Sequence, residues 1–526
     1  MSSIFVKAMV SSAYTSNNAM SLSTPDSTGN KSGRISLFFQ SVRGIELSKL
    51  YKYILDSNQE NVLDTFILIM NIRDCRGGKG ERDIGRAGIV WLFINYPDKF
   101  MNILPYISEY GRFDDILYLF PKVLNLSTIQ YVREHYYSPI NKITFDKCVI
   151  YQKHIVHFYG DVLISDRNLM NLGKQCTLAA KWFVTEKDSL DRSYEVFQTL
   201  CNEMKWTPRK LRKEFLTPIR SYLKIVEKYM CTNKWDEIDY NKVPSCAMNN
   251  LKNAFEKHDD SRFTDWKENL AIGVTKINAQ QMYPYQLIRE IRTKQSSDKL
   301  IDAQWKVLQD KVASHGYLND SVIVVDTSSS MHTPNYIPFD VAVSLGLIIS
   351  GAATGPFKNT VFTFNTTPEL IVIKNGSLFN RWRQITGINW GGNTNIQATF
   401  ELILNRGKEA GLTNDDMPKK LWIISDMQFN PCSSMGDTNF MYIDKMYARF
   451  NYTRPQLIFW NVASNDDFPV SVGDYGTALI SGYSTDIMNT VLEGGDFDPY
   501  SIMRRTIDNT RYDLIRKSFN NVYIHK

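Results

Sequence analysis

The run Ser321-Val-Ile-Val-Val325, followed at once by Asp326-Thr-Ser-Ser-Ser330, constrains this chain more than any other stretch. Four apolar, mostly β-branched residues in succession read as a buried strand. From about Pro338 to Ser350 an apolar, helix-permissive stretch follows. That order puts Asp326, Ser328 and Ser330 at the carboxyl end of a strand, where open α/β sheets bind their ligands. One carboxylate and two hydroxyls, spaced two apart on a tight loop, can turn their oxygens to one point. Such a set suits Mg²⁺, which takes oxygen ligands and keeps several waters.

Two later stretches extend the pattern. Trp390-Gly-Gly-Asn-Thr-Asn395 is a Gly-rich turn opening a helix, with Thr394 near the helix N-terminus. Leu421-Trp-Ile-Ile-Ser-Asp426 is a second buried-strand pattern, ending in Ser-Asp. Singly, each has a plainer explanation: Ser and Thr cap helices, and Asp ends strands in turns. Together, Asp326, Ser328, Ser330, Thr394 and Asp426, in that order, resemble the metal-ion-dependent adhesion site (MIDAS) of von Willebrand factor A-type domains. The resemblance implies Mg²⁺ or Mn²⁺ as cofactor, ligated directly by the two serines. Thr394 joins in some states, and the two Asp act directly or through water. It also implies a protein partner that presents a carboxylate to the open coordination position.

Around these loops, strand patterns at Ser321–Asp326, Thr360–Asn365, Leu370–Ile373, Leu421–Asp426, Leu457–Val462 and Ala478–Ser481 alternate with helical ones. The helical patterns are Pro338–Ser350, Leu378–Ile385, Ile396–Asn405, Phe440–Phe450 and Thr485–Leu492. Alternation of this kind predicts an α/β domain over 316–526 with a mostly parallel, doubly wound sheet.

The first 34 residues are rich in Ser, Asn and Thr and predict a flexible tail. From 35 to 315 helical spacing dominates, as in Ile45–Leu55 and Asn61–Met70. Paired helices with short turns predict an all-α, helical-repeat domain, stacked as a solenoid or ring, although no strict repeat period is present. Charge divides the same way. Residues 1–320 hold 44 Lys+Arg against 36 Asp+Glu, whereas 321–526 hold 17 against 19. A basic helical part favours an anionic partner, nucleic acid first; an ordinary, mildly basic surface is the plainer alternative.

Two segments within it could meet RNA. Arg76-Gly-Gly-Lys79-Gly is a Gly-rich loop leading into a helix, able to offer N–H groups and charge to phosphate. It lacks the preceding strand and the Gly-Lys-Ser/Thr ending of a P-loop, and a helix–helix turn explains its glycines as well. Arg209, Lys210, Arg212, Lys213, Arg220 and Lys224 form the densest basic cluster, interleaved with Trp206, Phe215, Tyr222 and Tyr229. Cations beside stacking faces suit single-stranded RNA; a solvated helix face is the competing reading.

The motifs Arg73-Asp-x-Arg-Gly-Gly-Lys-Gly-Glu-Arg82, Gly111-Arg-Phe-Asp-Asp115, Ala180-Lys-Trp182, Leu211-Arg-Lys-Glu214 and Trp235-Asp-Glu-Ile-x-Tyr240 resemble an uncharacterised family of plants and large DNA viruses, domain of unknown function 2828. That family joins a helical domain to a C-terminal A-type domain. The architecture is similar to the Ro ribonucleoprotein, whose TROVE module is a ring of helical repeats. The resemblance implies a Ro-like, RNA-binding scaffold, with a metal-dependent protein-interaction or assembly module lacking RNA binding as the alternative. A metal-dependent hydrolase is a third reading, but no general base stands beside the metal loops: His332 is a lone turn residue. The chain is therefore read as a binding protein and not an enzyme.

No apolar run reaches the roughly 18 residues of a membrane-spanning helix, and the first ten residues make a poor signal peptide. Seven scattered cysteines without a Cys-x-x-Cys pair give neither a zinc site nor a redox motif. The expectation is a soluble intracellular protein with no membrane contact. Its abundance of Ile, Asn, Lys and Tyr is compatible with an AT-rich genome such as that of a large DNA virus, in which case host cytoplasm or virion would be its place.

Overall fold

The computed structural model describes residues 12–14, 20–22, 32–136, 145–279, 282–314, 318, 320–354, 357–364, 368–387, 396–427, 439–463, 476–488 and 498–521. A helical half precedes an α/β half. Most of the expected N-terminal tail lies outside the described residues. The part described is a short antiparallel pair, Ser12–Tyr14 with Met20–Leu22, and the entry to the first helix.

That helix, α1 (Gly33–Gln40), starts at Ser32, whose hydroxyl accepts the Ile35 N–H at 3.3 Å. Helix α2 (Leu47–Glu60) turns Leu50, Tyr51, Ile54 and Ser57 inward, one stripe at helical spacing. Helix α3 (Val62–Arg73), capped by Asn61, is buried almost throughout, its Asp64 and Arg73 included, and α4 (Asp83–Asn95) is nearly as buried. Each packs on the next. A Cβ on Gly33 would stand 2.4 Å from the Asp56 carbonyl carbon, so only glycine lets α1 approach α2 this closely. Helices continue through Phe145–Asn171 to Lys299–Ala313. One pair, Ser245–His258 and Asp260–Ala271, builds a separate small core around Tyr240, Phe255, Phe263 and Trp266.

Among the described residues the α/β half holds six strands: β1 (Ser321–Asp326), β2 (Thr360–Phe364), β3 (Leu370–Val372), β4 (Lys420–Ser425), β5 (Gln456–Asn461) and β6 (Thr477–Ser481). Their spatial order is β3-β2-β1-β4-β5-β6, parallel throughout except for β3, which runs antiparallel on β2. Every predicted strand is present with ends shifted by no more than one residue. The helices at Ile337–Ala352, Leu378–Thr386, Ile396–Glu409 and Asn439–Arg449 match expectation as well. Of the helix expected at Thr485–Leu492, only a 3₁₀ turn, Thr485–Ile487, falls among the described residues.

Helix Ile337–Ala352 is buried on all sides. It lies between β1 and the helices Pro284–Lys294 and Lys299–Ala313 of the other half. At its contact with β1 a Cβ on Gly346 would come within 2.4 Å of Val325 Cγ2.

Two C-terminal helices, Pro499–Asp508 and Asp513–Phe519, were not expected from the sequence. They bridge to the helical half: the first packs on β6 as well as on α1 and α3, the second on α3 and Pro97–Ile103. Phe519 meets Phe66 edge to face at 5.1 Å, and Arg504 pairs with Asp64 at 2.6 Å. The main apolar core therefore runs without a break from Ile35 to Phe519.

Candidate metal centre and charged surfaces

β1 and β4 are hydrogen-bonded neighbours, with Val325 opposite Ile424. Parallel pairing brings their carboxyl ends out at one edge of the sheet, so Asp326 and the Ser425-Asp426 pair arrive side by side. Asp326 is fully buried, Asp426 nearly so, and Ser328 is 8% exposed. Asp326 Oδ1 accepts the Ser328 N–H at 2.9 Å, and Oδ2 accepts the Ser425 hydroxyl at 2.5 Å. The Ser328 and Ser330 hydroxyl oxygens are 3.0 Å apart. Three of the expected ligands are thus assembled on one loop, with Asp426 on the adjoining one. Thr394 lies outside the described residues.

Burial pushes the Asp326 carboxyl above the usual carboxylate range, only partly offset by the bonds from Ser425 and Ser328. It makes no ion pair among the described residues. A buried carboxylate without a counter-charge is costly, and a divalent cation beside the two serines would supply that charge. The donor set therefore fits Mg²⁺ or Mn²⁺. No group of three or more His, Cys, Asp or Glu that could hold a metal occurs among the described residues. An ion at this edge would be held mainly by hydroxyls and waters, which Mg²⁺ accepts.

His332 packs its ring 4.7 Å from Tyr336 and 5.3 Å from Phe339. Burial and the Arg292 guanidinium both lower its pKa. Arg292 in turn binds Asp340 through two bonds, 2.8 and 2.9 Å, and lies over Tyr336. This cluster ties the Asp326 loop to helix Pro284–Lys294.

The Gly-rich loop corrects one expectation. Lys79, offered as an RNA contact, is 1% exposed. Its ammonium donates to the Phe38 carbonyl, to the Ser41 carbonyl at 3.1 Å and to the Ser481 hydroxyl of β6 at 2.7 Å. Burial pulls its pKa down to about 7, against the Glu81 carboxylate. It is a clasp between α1 and the sheet, out of reach of a phosphate. Arg76 is exposed but lies on the chain at 108–111, its guanidinium 2.7 Å from the Glu109 carbonyl and 3.2 Å from that of Ser108. Arg73 and Arg86 share the buried Asp115 at 2.8 and 2.7 Å. The motif is an ion-pair hub. The clue available in the sequence was the matching set of acids in Phe113-Asp-Asp115.

The basic cluster sits on Pro208–Lys210 and the wider π-helical turn Leu211–Leu216. Arg209, Arg212 and Lys213 are exposed and Lys210 half-buried. Arg212 pairs with Glu186 at 2.8 Å, and Lys210 lies over Trp206. Arg209 and Lys213 form no ion pair among the described residues. Arg220 is committed to the Ala180 and Phe183 carbonyls, both at 2.8 Å. The aromatics are less available than expected: Phe215 is buried and Trp206 stacks on it at 4.3 Å, while Tyr222 stays exposed. Among the described residues, no helix is long and apolar enough to cross a membrane.

Residues 202–318 match the family described as Domain of unknown function (DUF2828), and residues 320–521 that described as Domain of unknown function (DUF7788). An uncharacterized protein of Acanthamoeba polyphaga mimivirus is 27% identical over 469 residues, which span 84% of this chain and 78% of that protein. The crystal structure of the Deinococcus radiodurans RO (RSR) protein aligns over 91% of this chain and 100% of that one, with 10% identity and a TM-score of 0.40.

Proposed function

We propose that this chain, which carries the DUF2828 domain in residues 202–318, is an RNA-binding scaffold with a TROVE-like helical half and a von Willebrand A-type α/β half. The α/β half takes a divalent cation and captures a protein partner. The carrying observation is the meeting of Asp326, Ser328, Ser330 and Asp426 at the carboxyl ends of two adjacent parallel strands, around a buried carboxylate with no ion-pair partner among the described residues. A cation bound there supplies an open position for a partner's carboxylate. The residues of the chain hold and orient: Ser328 and Ser330 offer hydroxyl oxygens, and Asp326 offers charge. His332 is packed against the rings of Tyr336 and Phe339, and the reading is one of binding rather than hydrolysis.

RNA contact rests on the exposed cations Arg209 and Lys213. RNA that crosslinks to the full-length protein, compared with a variant carrying Arg209→Glu and Lys213→Glu, tests it. Enrichment that disappears in the variant supports the reading; equal recovery refutes it. The engaged faces of Trp206 and Phe215 and the paired Arg212 favour a second reading, a metal-dependent assembly module without RNA. That reading predicts Mg²⁺-dependent capture of a protein partner and no RNA enrichment at all.

A further inference from the structure

Ser425 was not among the residues expected at the metal centre, yet its hydroxyl touches both loops. Ser425 Oγ lies 2.5 Å from Asp326 Oδ2 and 3.0 Å from the Met427 backbone nitrogen. A hydroxyl has one hydrogen. The Met427 N–H is a donor, so Ser425 Oγ accepts there and spends its only hydrogen on Asp326. With Asp326 ionised, as a cation beside it requires, the carboxylate can only accept, and the direction of both bonds follows. Asp326 then has a donor on each oxygen, Ser425 on Oδ2 and the Ser328 N–H on Oδ1 at 2.9 Å. The carboxylate is held at both ends and cannot rotate away from the serine loop.

The other bond acts on the second loop. Met427 is fully buried and has φ +67°, the left-handed region that a side chain other than Gly, Asn or Asp seldom occupies. Such a conformation persists only where surrounding contacts fix it. The Ser425 hydroxyl is one such contact, binding the N–H of the strained residue. Asp426 lies between Ser425 and Met427, so the same hydroxyl braces the turn that presents it.

We propose that Ser425 is the positioning residue of the metal centre, one hydroxyl that sets the Asp326 carboxylate and the Asp426 turn relative to each other. The proposal rests on the metal-binding reading above. Partners that orient a ligand in this way typically contribute 10–100-fold to metal affinity.

The test uses the full-length protein and Mn²⁺ as probe, with affinity from calorimetry and the bound-ion spectrum from electron paramagnetic resonance. Ser425→Ala is expected to bind about 10–100-fold more weakly, with an altered spectrum. Ser425→Thr, which keeps the hydroxyl, is expected to restore both. Ser425→Cys keeps the volume with a poorer donor, so it stands in if the alanine variant does not fold, and its affinity should fall below wild type. Wild-type affinity in either the Ala or the Cys variant overturns the proposal. Wild-type protein that binds Mn²⁺ no better than Asp326→Ala overturns the metal reading itself and removes the ground for this one.

Discussion

Arg511, near the C-terminal end of the described chain, binds Asp74, 437 positions earlier, through two guanidinium nitrogens. Asp74 has no exposed side-chain surface, whereas Arg511 is 31% exposed. Asp74 Oδ1 also accepts the N–H groups of Arg76 and Gly77, at 2.9 and 3.2 Å. Arg511→Met would leave a buried carboxylate with only neutral donors. The expected loss is about 3 kcal/mol, the low end of the range for breaking a buried pair, because Arg511 is partly solvated. Urea unfolding measures it. Asp74→Asn combined with Arg511→Met should recover part of the loss. An Arg511→Met protein as stable as wild type would show that the pair is incidental.

Mg²⁺ should stabilise the wild-type fold and leave Asp326→Ala unaffected. At 100-fold excess over the dissociation constant the gain is about 2.7 kcal/mol. Thermal unfolding with Mg²⁺ and with a chelator reads it. The same shift in both proteins would place any bound ion elsewhere.

The buried Lys79 predicts a pH effect of definite sign. Its folded pKa, about 7, lies below the ordinary lysine value of 10.5. Between those limits the unfolded chain binds more protons than the folded one, so stability rises with pH across that window. Relative to Lys79→Met, wild type should gain up to about 1.4 kcal/mol per pH unit from about pH 7 to 10.5. Urea unfolding of the two proteins at pH 7 and pH 9 gives the difference. A constant gap would mean that the three oxygens around Nζ hold the ammonium fully charged.

If Arg209 and Lys213 touch phosphates, RNA affinity should fall with salt. Reversing both to Glu should flatten the slope of log K against log salt by about 0.7 for each single-strand phosphate that is no longer neutralised. Fluorescence anisotropy between 50 and 200 mM salt, the range over which such slopes are usually read, decides it. A weakened complex with an unchanged slope would point to a folding defect in the variant.

The α/β half was readable because its strands are continuous apolar runs bounded by turns, a signal carried locally by each segment. The Asp326 loop was readable for the same reason: the spacing of its oxygens is written along the chain. Ser425 was missed because its part is set by β1–β4 pairing across 99 residues, which no local pattern reports. Lys79 misled for a related reason. A lysine in a glycine-rich loop reads as exposed, and only the approach of β6 buries it. The C-terminal helices went unnoticed because much of the surface that receives them is made by α1, α3 and Pro97–Ile103, far away in the sequence.

That last arrangement has a consequence in time. Asp74 leaves the ribosome 437 residues before Arg511. At 5–20 residues per second the interval is about 20–90 s. Until it ends, the faces of α1 and α3 that will receive the final helices stand open to water in the nascent chain. These faces are thus covered only when Pro499–Asp508 and Asp513–Phe519 arrive, and a ribosome that stalls before them would release a chain with an apolar surface left open in a part made long before.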